Sequence, residues 1–216
     1  ITGGTGFYIQ ALLYDIDFKE NNEKNPIRKE LEQLAKELGD KAPGALHEKL
    51  SHIDPEAARQ IHANNIKRVI RAIEYFEQTG EKISEHNEEM HQKESPYNFL
   101  YYVLTRDRKT LYERIDKRVD IMIANGLVKE IEKLKAMGCH RGQTSMQGLG
   151  YKEILDYLDG SCTLDEAVYI LKRDTRHFAK RQLTWFRRER DVRWLDLDRY
   201  QGNTDLILKD ILKDCE

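Results

Sequence analysis

Apolar positions in this chain recur mostly at intervals of three and four, the spacing of one helix face, and clear start and stop signals separate the runs. Asn25-Pro26 supplies an N-cap and a first-turn proline for a helix over 27–38, which Gly39 closes. Ala42-Pro43-Gly44 reads as a turn, and Asp54-Pro55 starts a short helix reaching about Ile61. Asn64-Asn65 caps a helix over 66–78 that stops at Gly80. Thr110-x-x-Glu113 has the capping-box pattern and opens a long helix, bent at Gly126 and ending near Gly138. A second such pattern, Thr163-x-x-Glu166, leads into a strongly basic helix, and Gly148 and Gly150 punctuate a loop before a helix over 152–158. Only two stretches read as strands: 99–104, aromatic and β-branched, and the shorter 192–196.

Two strands so far apart in sequence need neighbours in a larger sheet. The expected fold class is therefore α/β, a mainly parallel sheet flanked by helices and incomplete in this sequence, with the chain mainly helical overall. Residues 1–19 and 92–216 are expected to form that core, and 20–91 an all-helical insertion. The chain opens on Ile1 rather than Met, and Gly3-Gly4-Thr5-Gly6 reads as the middle of a motif. An N-terminal portion carrying the remaining strands is expected.

Composition narrows the class. Apolar residues make up 39% of the 216 and charged ones 34%, polar for a globular protein but too rich in Leu, Ile and aromatics for disorder. No apolar run approaches the length of a membrane span, and no signal peptide is visible. Three widely spaced cysteines, Cys139, Cys162 and Cys215, fit a reducing compartment better than a disulfide framework, so a cytoplasmic protein is expected.

Net charge is only −2, but it is unevenly spread. Between Lys172 and Arg190 eight Lys/Arg face Asp174 and Glu189 alone, while acids gather around 15–23 and 74–94. In helical projection Leu171, Thr175, Phe178, Ala179, Gln182, Leu183, Trp185 and Phe186 fall on one side. Arg173, Arg176, His177, Lys180, Arg181, Thr184, Arg187 and Arg188 fall on the other. That second face is either a solvated surface or an anion site. The scarcity of acidic partners at four-residue spacing favours the anion, because like charges at that density repel unless neutralised.

Other candidate groups are individually modest. The Gly3-Gly4-Thr5-Gly6 turn precedes a helix-like run, 7–13; glycines there admit close backbone approach, and Thr5 either caps the helix or meets a substrate. No GxxxxGK[ST] loop occurs in the sequence. Lys67, Arg68 and Arg71 open a helix where cations oppose the macrodipole, as solvated side chains or as an anion contact. Arg114 and Arg118 share a helix face, paired with Glu113 or Asp120 or clamping phosphate oxygens. The segment 145–153 mixes an amide, glycines, Tyr151 and Lys152, as an RNA-reading loop or a plain helix start. His86 and His91 lack companions for a metal.

The order of these blocks is more informative. Gly3-Gly4-Thr5-Gly6-Phe7-Tyr8, Asn65-x-x-Arg68-x-x-Arg71, Arg114-Ile115-x-x-Arg118-Val119-Asp120, Gly150-Tyr151-Lys152-Glu153 and Thr175-Arg176-x-x-Ala179-Lys180-Arg181-Gln182-x-Thr184-Trp185-Phe186 together resemble the tRNA dimethylallyltransferase (tRNA isopentenyltransferase) family. The resemblance implies a P-loop kinase-like sheet and a helical insertion that contacts tRNA. It implies transfer of the dimethylallyl group of dimethylallyl diphosphate, with Mg2+, to N6 of the adenosine 3′ to the anticodon. Carried over by position, Thr5 is a catalytic residue beside an Asp general base that this sequence does not contain. Arg118 and Arg176 hold the diphosphate. Arg28, Lys67, Arg68, Val69, Ile70, Arg71, Gln147, Gly148, Leu149, Gly150, Tyr151 and Lys152 contact tRNA, with Lys180 and Arg181 added from the basic helix. Lys67 stands where the family usually has Gln. The expected partners are an anticodon stem-loop and the allylic diphosphate, with no metal ligand in this chain, no membrane, and a monomer. Without a P-loop, this stretch alone is expected to be inactive. The alternatives are another P-loop phosphotransferase and a non-catalytic RNA-binding helical module.

Overall fold

A computed structural model describes residues 1–16 and 26–214. The chain divides into two compact units, Phe7–Asn98 and Ile1–Gly6 with Phe99–Glu216. The division falls at Phe7 and Phe99, so most of the first helix, α1 (Gly6–Leu13), groups with the helical unit.

The helical unit continues with α2 (Pro26–Leu38), a 3-10 turn over Gly39–Lys41, α3 (Ala42–Ile53), α4 (Pro55–Gln60), α5 (Ile66–Thr79) and α6 (Ile83–Gln92). Leu46 and Leu50 of α3 and Val69 and Ile73 of α5 are almost fully buried in its core. Ala42-Pro43-Gly44 is not a turn but the first turn of α3, where a proline is tolerated because its missing N–H would lack a partner anyway. The expected cap Asn25 lies outside the described residues, whereas Asp54 caps α4 as expected, accepting from Ala57 N at 2.9 Å. The same carboxylate also receives Ser84 N at 2.9 Å and Ser84 Oγ at 2.7 Å, which ties the start of α6 to α4. Burial pushes the Asp54 carboxyl up, but those three hydrogen bonds and nearby Lys82 outweigh it, leaving it below its ordinary value.

The other unit holds β1 (Tyr101–Thr105) and β2 (Val192–Asp196), paired in parallel from Tyr101↔Val192 to Thr105↔Asp196. Between them run α7 (Arg108–Ala124), α8 (Leu127–Ala136), a 3-10 turn over Thr144–Gln147, α9 (Tyr151–Leu158) and the 23-residue α10 (Leu164–Phe186); α11 (Thr204–Lys213) follows. Ile131, Met146, Ile154 and Leu171 are the centre of its core. The long helix expected after residue 110 is two helices, broken at left-handed Gly126, and Asp107 rather than Thr110 caps the first. The Thr163–Glu166 box forms as expected. Phe186, at the end of α10, packs edge-on against Tyr101 of β1, with centroids 6.3 Å apart.

The described chain is thus mostly helical, with one small parallel pair of strands. No described helix is long and apolar enough to cross a membrane. Cys139 and Cys162 are free thiols, and Cys215 lies outside the described residues.

Candidate functional site

The glycine turn before α1 is clamped from one side by α10. Gln182 Nε2 donates to Gly4 O at 2.8 Å, and a Cβ on Gly4 would lie 2.2 Å from that same nitrogen. A Cβ on Gly6 would lie 2.1 Å from Trp185 Cδ1. At Gly6 the rigid indole fills the space a methyl would need, whereas at Gly4 the atom met is the flexible end of Gln182. Thr5, between them, is exposed, and its hydroxyl forms no hydrogen bond among the described residues, so it is not serving as a side-chain cap. The chain therefore presents one hydroxyl beside the last turns of its basic helix.

That helix is electrostatically divided along its length. In its first half Lys172 pairs with Asp120 at 2.5 Å, Arg176 with Asp116 at 2.6 Å, and Arg173 with Asp174 at 2.8 Å. The hydrogen bond from Arg173 holds the Asp174 carboxyl below its ordinary range. Further along, Lys180 and Arg181 of α10, and Arg187 and Arg188 just past its end, form no ion pair among the described residues. His177, Lys180, Arg181, Thr184, Trp185 and Arg188 line an open groove of about 360 Å³. An indole wall surrounded by unneutralised cations suits a polyanion that also offers flat rings. Phe178, expected on the core side, is instead 41% exposed, and the Arg181 guanidinium lies 5.7 Å from its ring centroid.

A second cavity, about 260 Å³, lies where α7 meets α10. Arg114 and Arg118 stand at it with Ile115, Met122, Leu149 and Thr175. Arg118 has no ion pair among the described residues, so the expected donor arginines differ in state: Arg118 is unpaired and Arg176 is held by Asp116. Arg176 stands at the same helix–helix contact: its chain neighbour Thr175 lines this cavity, and its partner Asp116 lies two residues before Arg118.

The remaining expected residues divide by burial. On α5, Lys67, Arg68 and Arg71 are exposed and without ion pairs among the described residues. Val69 and Ile70 are 0% and 4% exposed, their side chains turned into the core by the same helical period. Arg28 is likewise engaged, 3.2 Å from Glu74, whose side chain is buried and needs a cation.

In the glycine loop Gln147 turns its amide to Arg141 O, and Arg141 is itself pinned by Asp156 and Asp159. Tyr151 donates its hydroxyl to Glu130, a contact that raises the phenol's pKa. Lys152 lies 3.3 Å from Glu153 and 3.7 Å from Asp174. Buried Glu153 accepts from Gly150 N at 2.8 Å, where φ of 99° suits glycine. Gly148 is exposed and Leu149 half-buried. In the absence of a ligand, the side chains of Gln147, Tyr151 and Lys152 thus make internal contacts. Among the described residues no three His, Cys, Asp or Glu side chains gather into a metal-binding group.

Sequence reasoning missed Arg187 and Arg188 as site members, although their place on the basic face was visible. It also missed Gln182 and Trp185 as the clamp, which only the tertiary contact reveals.

Comparison with known proteins places these features in a family context. A family model described as IPP transferase matches residues 1–189. Over 207 residues the chain is 60% identical to a tRNA dimethylallyltransferase of Lachnoclostridium phytofermentans, covering 96% of this chain and 65% of that protein. One from Acetivibrio thermocellus is 51% identical with the same coverages. The chain therefore spans just under two thirds of the length of these curated relatives. Among solved structures, a tRNA isopentenylpyrophosphate transferase from Bacillus halodurans matches with a TM-score of 0.58 at 40% identity, over 97% of this chain and 65% of that one. A eukaryotic dimethylallyltransferase described as acting on tRNA matches with a TM-score of 0.71 at 26% identity, over 98% and 56%.

Proposed function

Given that the chain belongs to the IPP transferase family, we propose that it is the RNA-gripping and donor-holding part of a tRNA dimethylallyltransferase. The reaction forms a bond between N6 of the adenosine 3′ to the anticodon and C1 of dimethylallyl diphosphate. It breaks the C1–O bond; diphosphate leaves with the electron pair, and N6 gives up a proton to a base.

What carries the reading is the unpaired half of α10 beside the clamped Thr5 turn. Lys180, Arg181, Arg187 and Arg188 would take RNA phosphates, with Lys67, Arg68 and Arg71 as a second set on the helical unit. A base drawn out of its stack needs such grips outside the pocket that receives it. Thr5 would accept or donate at the adenine amino group. Arg118 and Arg176 would stabilise charge on the departing diphosphate, which an exocyclic amine, a poor nucleophile, requires. The P-loop and the base that the family likeness implies are not among these residues, so this stretch supplies only part of the chemistry, on a P-loop kinase-like sheet that β1 and β2 would join. Mg2+, the cofactor that the family likeness implies, would help neutralise the departing diphosphate. A cytoplasmic monomer is proposed.

The test is incubation of the complete gene product with dimethylallyl diphosphate and an anticodon stem-loop RNA. The expected product is N6-dimethylallyl adenosine in the loop. Phosphate transfer to a small acceptor, or RNA binding with no modification at any donor concentration, would overturn the proposal.

A further inference from the structure

Resting on the donor-binding reading of Arg176, we infer that Asp116 is a positioning residue for that guanidinium. Both Asp116 oxygens accept from a single nitrogen, Nη1 of Arg176, at 2.6 and 2.8 Å. The commoner fork matches two nitrogens to two oxygens. Here Nη2 and Nε form no hydrogen bond among the described residues. An arginine carries five N–H donors, so one end of the guanidinium is held while the edge with three donors stays available to an anion. The side chains of the pair are only 24% and 37% exposed, which limits screening by solvent.

The location supports a role beyond helix packing. Asp116 lies two residues before Arg118, and Arg118 lines the cavity that includes Thr175, the neighbour of Arg176. Several guanidinium groups at one helix contact would repel, and an untethered arginine has many rotamers to lose when it meets an anion. A carboxylate that fixes one end removes part of both costs. Asp120, one turn on, pairs with Lys172 at 2.5 Å and joins the same two helices. It provides an internal control, because it ties α7 to α10 without touching a donor-binding residue.

The experiment measures transfer kinetics of the complete gene product carrying Asp116→Ala, Asp116→Glu or Asp120→Ala, with donor concentration varied. Binding of inorganic diphosphate is titrated calorimetrically in the same variants. Asp116→Ala should lower kcat about 10- to 100-fold, the range for a misplaced catalytic contact, with a smaller change in the donor KM. Asp116→Glu should recover most of the loss, and Asp120→Ala should stay within about twofold. Equal losses in the two alanine variants would reduce Asp116 to a helix tie. An unchanged rate, or tighter diphosphate binding in Asp116→Ala, would make it a mere competitor of the anion; either result overturns the inference. If the unmodified protein prenylates no RNA, the functional reading fails, and the titration still decides. Weaker diphosphate binding in Asp116→Ala than in Asp120→Ala upholds the positioning role, and equal binding refutes it.

Discussion

Replacing Gly6 with alanine drives a methyl carbon into the indole of Trp185. On the observed backbone it would lie 2.1 Å from Cδ1, 2.2 Å from Nε1 and 2.9 Å from Cγ. Unbonded carbon atoms are comfortable near 3.5–4.0 Å, so the turn or the ring must move by more than about 1 Å. All three atoms belong to one rigid ring, so no single torsion of a flexible tip relieves the clash. At Gly4 the first atom met is the amide end of Gln182, which can swing away at the loss of one hydrogen bond. Alanine would otherwise favour this position by about 0.4–1 kcal/mol, since Gly6 opens α1 without a left-handed φ. Overpacking costs about 1–3 kcal/mol. The expected net loss for Gly6→Ala is about 1–2 kcal/mol, and that for Gly4→Ala about 1 kcal/mol or less. Trp185 and Trp194 are the two tryptophans of the chain and share one unit, so urea unfolding followed by intrinsic fluorescence reports that unit directly. A Gly6→Ala protein as stable as the original, with unshifted emission, would refute the clamp.

Thr5→Ala should lower turnover far more than RNA affinity, because an exposed hydroxyl with no internal partner can be missed only by a substrate; equal losses in single-turnover rate and in Kd would contradict that role. Arg28→Ala should destabilise the helical unit, by about 1–3 kcal/mol, through loss of its ion pair with buried Glu74, while RNA affinity measured well below the melting transition stays within about twofold; the reverse pattern would mark Arg28 as an RNA contact. Asp54→Ala should cost about 2–4 kcal/mol, a lost cap plus the stranded Ser84 donors. Because the folded Asp54 pKa is depressed, its contribution is complete above the unfolded carboxylate value, near 3.9, and disappears as pH falls through the lower folded value. Hydrogen exchange of α4 and α6 amides should therefore weaken below about pH 4 in the original protein and depend less on pH in the variant; parallel profiles would count against the assignment.

Much of this was legible in the sequence because it is local. The Asp54 cap, the Thr163–Glu166 box, the Gly80 stop and the 192–196 strand depend on neighbours within a few residues, and the structure reproduces them. Thr110 failed for a local reason too: Asp107 is the better cap and sits one turn earlier. The basic helix marks where local reasoning ends. Its own sequence offers few acids, yet Asp116 and Asp120 of α7 neutralise its first half from across a helix contact, leaving the excess charge to the second half. Val69 and Ile70 show the converse: family likeness marks a whole block, while the helix period alone decides that Lys67, Arg68 and Arg71 face out and the two aliphatics face in. Gln147 and Lys152 had suggestive chemistry, but Gln147 donates to Arg141 O six residues back, and Lys152 is shared between adjacent Glu153 and distant Asp174.

The contrast between the two halves of α10 yields the most direct test. Salt dependence of anticodon stem-loop binding should be measured for the complete gene product carrying Arg181→Gln with Arg188→Gln, beside one carrying Lys172→Gln with Arg173→Gln. Each phosphate contact contributes about 0.7–0.9 to the slope of log K against log salt. The first pair should flatten that slope by about 1.4–1.8 and weaken binding, while the second leaves both nearly unchanged. Equal flattening in the two proteins, or none in either, would contradict an RNA seated on the unpaired half of α10.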